Sequence, residues 1–277
     1  MNVIKTKPSM RQWSTVCRAK GQTIAFVPTM GFLHKGHLSL VRRAKQLGDR
    51  VVVSIYVNPT QFGPNEDFKS YPRNMKRDLA LLRKEGVDAV FAPKNLYETG
   101  DLFRVDPGAL QNALCGKSRP GHFQGVCTVV LKLFNIIMPR VAVFGQKDAQ
   151  QFIILKRMVK ELDLPVKMVA LPIVRERDGL AMSSRNAYLS PSERAQAPSL
   201  RRALLFVQSR HKKGRNSAGA ALGSAQRLLE GEADYLEAVD PCTLQPVKRL
   251  RKGVLVAGAM RLGKTRLIDN IVLSQDR

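Results

Sequence analysis

The chain has 277 residues, 44% of them hydrophobic, and carries 46 Lys and Arg against 22 Asp and Glu, a formal charge of +24. That length holds one or two buried cores, and the composition excludes a disordered or fibrous chain. No apolar run reaches the roughly 18 residues that cross a bilayer, Met1–Trp13 lacks the apolar stretch of a secretory leader, and Cys17, Cys115, Cys127 and Cys242 form no C-x-x-C pair, so a reducing, cytoplasmic setting with no membrane, zinc module or disulfide framework is expected.

Thr23–Pro28 (TIAFVP) predicts a buried strand and Gly36–Leu47 an amphipathic helix. Val51–Val57 (VVVSIYV) is apolar without alternation, as a parallel strand covered on both faces requires. After the polar stretch NPTQFGPNEDFKSYPR come a helix (NMKRDLALLRKEG) and a strand (VDAVFAP). A Pro- and Gly-rich passage leads to a helix (VCTVVLKLFNII), the strand Val141–Gly145, a helix (DAQQFIILKRMVKEL) and the strand VKMVALP. Repeated β-α-β units predict a Rossmann-like, doubly wound parallel sheet over residues 1–175. Such sheets bind ligands beyond the C-terminal ends of their strands. Residues 176–277 read as a smaller α+β domain. There Ser190–Glu193 (SPSE) is a capping box with Pro191 at the first helical position, opening a long helix toward His211. A helix over 218–229 and strands in YLEAV, GVLVAG and RLIDNIVL follow.

The positive charge raises a nucleic-acid-binding reading, but the excess is spread along the chain: residues 1–190 hold 30 basic and 14 acidic residues, residues 191–277 hold 16 and 8. The densest patch, Lys248–Lys252 (KRLRK), has no aromatic for base stacking, so no specific nucleic-acid partner is expected. A phosphate-loop kinase is the other reading, because Gly258–Thr265 (GAMRLGKT) matches G-x-x-x-x-G-K-[ST]. A working phosphate loop runs into a helix. Here β-branched RLIDNIVL follows and twelve residues remain after Thr265, so Gly263–Lys264 reads as a hairpin turn instead.

PTMGFLHKGHLSL (28–40) is the stronger candidate, because a strand ends, a turn follows and a helix begins near His37. A helix N-terminus offers unpaired N–H groups and the positive end of a dipole, Gly36 lets backbone approach a ligand, and two imidazoles can donate to phosphate oxygens. Two histidines satisfied within a turn remain an alternative; a metal pair lacks a third His or Cys at ligand spacing.

The stretch resembles the H-x-G-H signature of the adenylyl- and cytidylyltransferase superfamily, and within it VPTMGFLHKGHLSLV resembles the pantoate–β-alanine ligase family. VVSIYVNPTQF, YPRN, SRPGHFQGV, FGQKDAQQ, GLAMSSRN and GKTRLIDN agree in order. The resemblance implies an ATP-dependent acid–amine ligase, and a homodimer, in which pantoate is activated as an acyl adenylate and captured by β-alanine, with Mg2+ accompanying ATP. It implies that His34, His37 and Lys147 are catalytic. ATP would be bound by Met30, Gly31, His34, Gly36 and His37, by Gly145, Gln146, Lys147 and Asp148, by Val174 and by the mobile stretch Met182, Ser183, Ser184 and Arg185, a lid on the second domain. Pantoate and β-alanine would meet Gln61, Gln151, Asn58 and Arg119, with His122 beside them. Gln146 stands where the family usually has Glu, and 93–118 is divergent. A related nucleotidyltransferase acting on a phosphorylated acceptor is the runner-up; it would share HKGH but would not need the Gln61/Gln151 pair.

Overall fold

The computed structural model describes residues 1–64 and 66–274. In chain order the elements are β1 (Asn2–Ile4), α1 (Lys7–Ala19), β2 (Ile24–Thr29), α2 (Lys35–Lys45), β3 (Arg50–Ile55), α3 (Met75–Lys84), β4 (Ala89–Phe91), α4 (Cys115–Ser118), α5 (His122–Ile137), β5 (Val141–Gly145), α6 (Ala149–Glu161), β6 (Lys167–Leu171), α7 (Pro191–Gln196), α8 (Ser199–Lys212), α9 (Ala218–Gln226), β7 (Glu232–Val239), β8 (Leu255–Leu262) and β9 (Thr265–Val272). They form two compact units: residues 1–107, 119–145 and 154–172, and residues 108–118, 146–153 and 173–277.

The first unit holds a six-stranded, all-parallel sheet in the order β1-β4-β3-β2-β5-β6. Its central strands are largely apolar, as strands covered by helices require, and Ala25, Val27, Val51, Val53, Val90 and Val143 pack with Leu40, Val41 and Leu82 in one core. From β2 the chain steps outward to β3 and β4, then returns to β5 on the other side. Beyond the C-terminal ends of β2 and β5 is therefore the switch point, where a crevice opens in sheets of this kind. β1 and α1 were not expected from the sequence. α1 nevertheless carries a local start signal: Thr6 caps it, its hydroxyl accepting from Ser9 N at 3.3 Å, and Pro8 stands in the first turn.

The second unit holds an antiparallel sheet in the order β7-β8-β9. β8 and β9 are joined by Gly263 and Lys264 alone, with Gly263 at φ +52°. The stretch that mimics a phosphate loop is thus a two-residue hairpin turn, as its flanking residues required. The capping box at Ser190 and Glu193 is present. The long helix it was expected to open is instead two, α7 and α8, interrupted at Ala197–Pro198. Pro198 has no N–H to donate and its ring crowds the preceding turn, which ends α7 after six residues.

Candidate active site

The turn between β2 and α2 is held by an almost complete set of internal hydrogen bonds. Gly31 (φ +85°) and Phe32 (φ +50°) reverse the chain. Gly31 N–H donates to Thr29 Oγ1 at 3.2 Å, and Thr29 donates in turn to Ser54 O. Phe32 N–H and Leu33 N–H donate to the two carboxylate oxygens of Asp78 at 2.7 and 2.8 Å. Asp78 reaches them from α3 and is 1% exposed. A Cβ on Gly31 would come within 3.1 Å of that carboxylate and of Ile55, and its φ of +85° strains any other residue there.

The two histidines close the turn onto α2. His34 is the N-cap residue, and its Nδ1 accepts from Gly36 N–H at 3.2 Å. His37 Nδ1 accepts from His34 N–H at 3.3 Å, and the ring centroids lie 4.1 Å apart. Both Nδ1 atoms are acceptors, so each neutral ring carries its proton on Nε2. The N–H groups of Gly31, Phe32, Leu33 and His34, which precede α2, and of Gly36 in its first turn are engaged by protein atoms. The donors that two histidines add here are imidazole Nε2–H groups.

Gln61 lies in the short 3-10 turn Pro59–Gln61 after β3. Its amide nitrogen donates to Met30 Sδ at 3.2 Å, which joins two residues expected at the site. Its amide oxygen accepts from Asn58 Nδ2 at 3.1 Å. Asn58, 1% exposed, also donates to Gly125 O, and its own oxygen accepts from Thr60 and Tyr97 hydroxyls. Those four bonds fill an amide's capacity, so Asn58 acts on Gln61. Arg119 donates twice to Glu66, at 2.6 Å each, and also to Gln61 O at 3.3 Å. His122, buried, donates from Nδ1 to Gln61 O at 2.7 Å and accepts from Arg119 at Nε2, so its tautomer is opposite to that of His34 and His37. Burial alone would raise the Glu66 pKa, but the Arg119 guanidinium outweighs it and holds the carboxyl below its ordinary value. Arg119 and His122 therefore grip the Gln61 carbonyl.

In the second unit, Gln146–Asp148 form a 3-10 turn leading into α6. Asn270 Nδ2 donates to the backbone carbonyls of Gln146 and Lys147 at 2.9 and 3.0 Å, and the Gln146 amide donates to Asn270 Oδ1 at 3.4 Å. A glutamate at 146 could not make that last donation. Lys147 is half-buried and Asp148 exposed. Val174 and Met182 are brought together, Met182 N–H donating to Val174 O at 3.0 Å across a tight turn at Gly179 (φ +91°). Ser183 caps the 3-10 turn Ser184–Tyr188, which carries Arg185. Gln151 lies on α6, half-buried. Among the described residues no group of three His, Cys, Asp or Glu side chains could hold a metal.

A family model described as pantoate-beta-alanine ligase matches residues 2–272. The chain belongs to the pantoate–β-alanine ligase family. It is 52% identical over 279 residues to a pantothenate synthetase of Thermotoga neapolitana, covering 99% of this chain and all of that one, and 48% identical to one from Moorella thermoacetica with 99% of each covered. Among solved structures it resembles the Thermus thermophilus pantothenate synthetase (TM-score 0.93, 44% identity, 99% and 100% covered) and the Francisella tularensis pantoate–β-alanine ligase solved with β,γ ATP and β-alanine (TM-score 0.75, 33% identity, 98% and 97% covered). As a pantoate–β-alanine ligase it condenses pantoate with β-alanine to pantothenate.

Two residues of this ligase site escaped the sequence reading. Asp78 lies 46 positions from the turn it holds, inside what reads as a plain surface helix. Gly125, in α5, lets the helix lie against the Gln61 turn: a Cβ there would come 2.2 Å from Thr60 O and 2.7 Å from Gln61 N. The signal available was SRPGHFQGV itself, a motif with a glycine in a helix that has no turn to make.

Proposed function

We propose that the chain forms pantothenate through pantoyl adenylate, with His34 and His37 as the phosphate-binding and catalytic pair. A pantoate carboxylate oxygen attacks the α-phosphorus of ATP, and the bond to the bridging oxygen breaks as pyrophosphate leaves. The β-alanine amine then attacks the acyl carbon, loses a proton, and AMP departs. The first step requires in-line alignment and neutralisation of charge on the departing oxygens. The observation that carries the reading is the reciprocal cap: with both Nδ1 atoms accepting backbone N–H, each imidazole is fixed as an Nε2–H donor on a rigid turn. His37 would serve as the proton donor to the leaving oxygen.

The same reading gives Met30, Gly31 and Gly36 the ATP turn, Gly145 to Asp148 the ribose and phosphates, Val174 the adenine, and Met182 to Arg185 a phosphate clamp acting as a lid. Gln61 and Gln151 would bind pantoate, with Asn58, Arg119 and His122 acting through Gln61. Mg2+ would enter on the ATP phosphates, keeping several waters, and supply positive charge to them; the donor set among the described residues suits that better than a resident metal. A Rossmann-like domain over 1–175, a C-terminal domain over 176–277, a homodimer and a cytoplasmic setting complete the proposal; that no described helix is long and apolar enough to cross a membrane agrees with the last.

The test is pantoate-dependent exchange of labelled pyrophosphate into ATP, followed by AMP release that requires β-alanine. Exchange that proceeds without pantoate removes the adenylate reading.

A further inference from the structure

Arg201 stands in the first turn of α8, and its stem packs on the 176–180 turn, where a Cβ on Gly179 would lie 3.5 Å from Arg201 Cγ. Arg201 lines a small cavity with Lys147, Ser183, Asn186 and Asp269. Asp269 is 4% exposed and fully engaged: Arg175 donates to its two oxygens at 2.7 and 2.9 Å, and Asn270 N–H adds a bond at 2.7 Å. Arg175 holds both Asp269 oxygens, so Arg201 and Lys147 bring a net positive charge to the cavity, with Asp269 near Arg201 but not hydrogen-bonded to it. No side chain or carbonyl among the described residues accepts a hydrogen bond from Arg201. Burial, with the Arg175 charge adding to it and the Asp269 charge opposing it, holds the guanidinium pKa below its ordinary value.

Asn186 adds the opposite need. Its Nδ2 donates to Ala181 O at 3.1 Å, while its Oδ1 is buried with no partner. A phosphoryl P–OH satisfies both residues through a single oxygen, its lone pair accepting from Arg201 and its proton donated to Asn186 Oδ1. The enclosed space, about 10 Å3, admits one oxygen-sized group, so a phosphoryl oxygen would enter while the rest of the phosphate stays at the mouth.

We propose that Arg201, outside the MSSR stretch, binds the terminal phosphoryl group of ATP and of departing pyrophosphate, beside Lys147 and Ser183. This rests on the ATP-dependent reading above. It makes Arg201 a binding residue that separates triphosphate and pyrophosphate from AMP, whose single phosphate is the α-phosphate and not part of the departing pyrophosphate.

The experiment is calorimetric titration of the full chain with inorganic pyrophosphate and, separately, with AMP. Removing one charged hydrogen bond with Arg201→Gln is expected to weaken pyrophosphate about tenfold or more and leave AMP affinity in place, with Arg201→Lys restoring part of the loss. Unchanged pyrophosphate affinity, as a cavity holding only water would give, overturns the proposal. So does an equal loss for AMP, which would mark Arg201 as structural packing on Gly179. Pantoate-dependent exchange in the parent protein is measured independently: its absence defeats the ligase mechanism, whereas the pyrophosphate titration still decides Arg201.

Discussion

Gly125→Ala sets two known effects against each other at the Gln61 turn. In a helix interior, alanine is favoured over glycine by about 1 kcal/mol. Here the added methyl meets Thr60 O at 2.2 Å, Thr60 C at 2.5 Å and Gln61 N at 2.7 Å, all of them backbone atoms that cannot rotate away. An ordinary contact begins near 3.4 Å, so turn and helix must part by about 1 Å. Overpacking of that kind costs about 1–3 kcal/mol, which leaves a net loss of stability of roughly 0–2 kcal/mol. The effect on catalysis is larger, because a 1 Å displacement of a positioning group costs about a hundredfold in rate. The expectation is therefore a folded protein whose kcat/KM for pantoate drops about a hundredfold, with a urea midpoint lowered by no more than a loss of about 2 kcal/mol produces. Steady-state kinetics with pantoate varied, beside a denaturation curve, measure both. A folded variant within about threefold of the parent kcat/KM would show that the position of Gln61 does not limit the reaction.

Asp78→Asn leaves one of two buried backbone N–H groups facing an amide NH2; a loss of about 1–3 kcal/mol and a raised KM for ATP are expected from denaturation and kinetics. His37→Asn keeps an acceptor for His34 N–H but removes the Nε2–H donor, so single-turnover adenylate formation is expected to fall about a hundredfold or more while the Tm holds; parent-like adenylation would remove the catalytic role. Lys147→Ala is expected to lose adenylation to a similar degree, read by the same single-turnover measurement. Glu66, depressed by Arg119, contributes stability that is present above its ordinary value of 4.5 and lost as pH falls through the lower folded value. Glu66→Gln should thus be less stable than the parent at pH 7, with the gap closing below about pH 4.5, followed by chemical denaturation across pH.

What could be read from the chain was whatever rests on neighbours in sequence. The β8–β9 turn followed from β-branched residues on both sides of Gly263–Lys264, and the Ser190 cap from its four-residue pattern. α1 had an equally local signal in Thr6 and Pro8 that went unused, and Pro198 marked the break in the helix after Ser190. The supports of the site were not local. Asp78 meets Phe32 and Leu33 only after α3 docks beside the turn, and Gly125 meets Thr60 only because α5 lies across it. Asn58 could be placed near Gln61 from NPTQF, but that its amide is saturated by Gln61, Gly125, Thr60 and Tyr97 depends on three separate parts of the chain.

The reciprocal histidine cap makes the turn after β2 depend on two imidazole lone pairs. Each Nδ1 lone pair is a latch on a backbone N–H, and a proton added there turns an acceptor into a donor aimed at a donor. The two rings stand 4.1 Å apart within one latch. Whatever takes either lone pair must therefore break the entry to α2 first, so the two imidazoles can act only through Nε2.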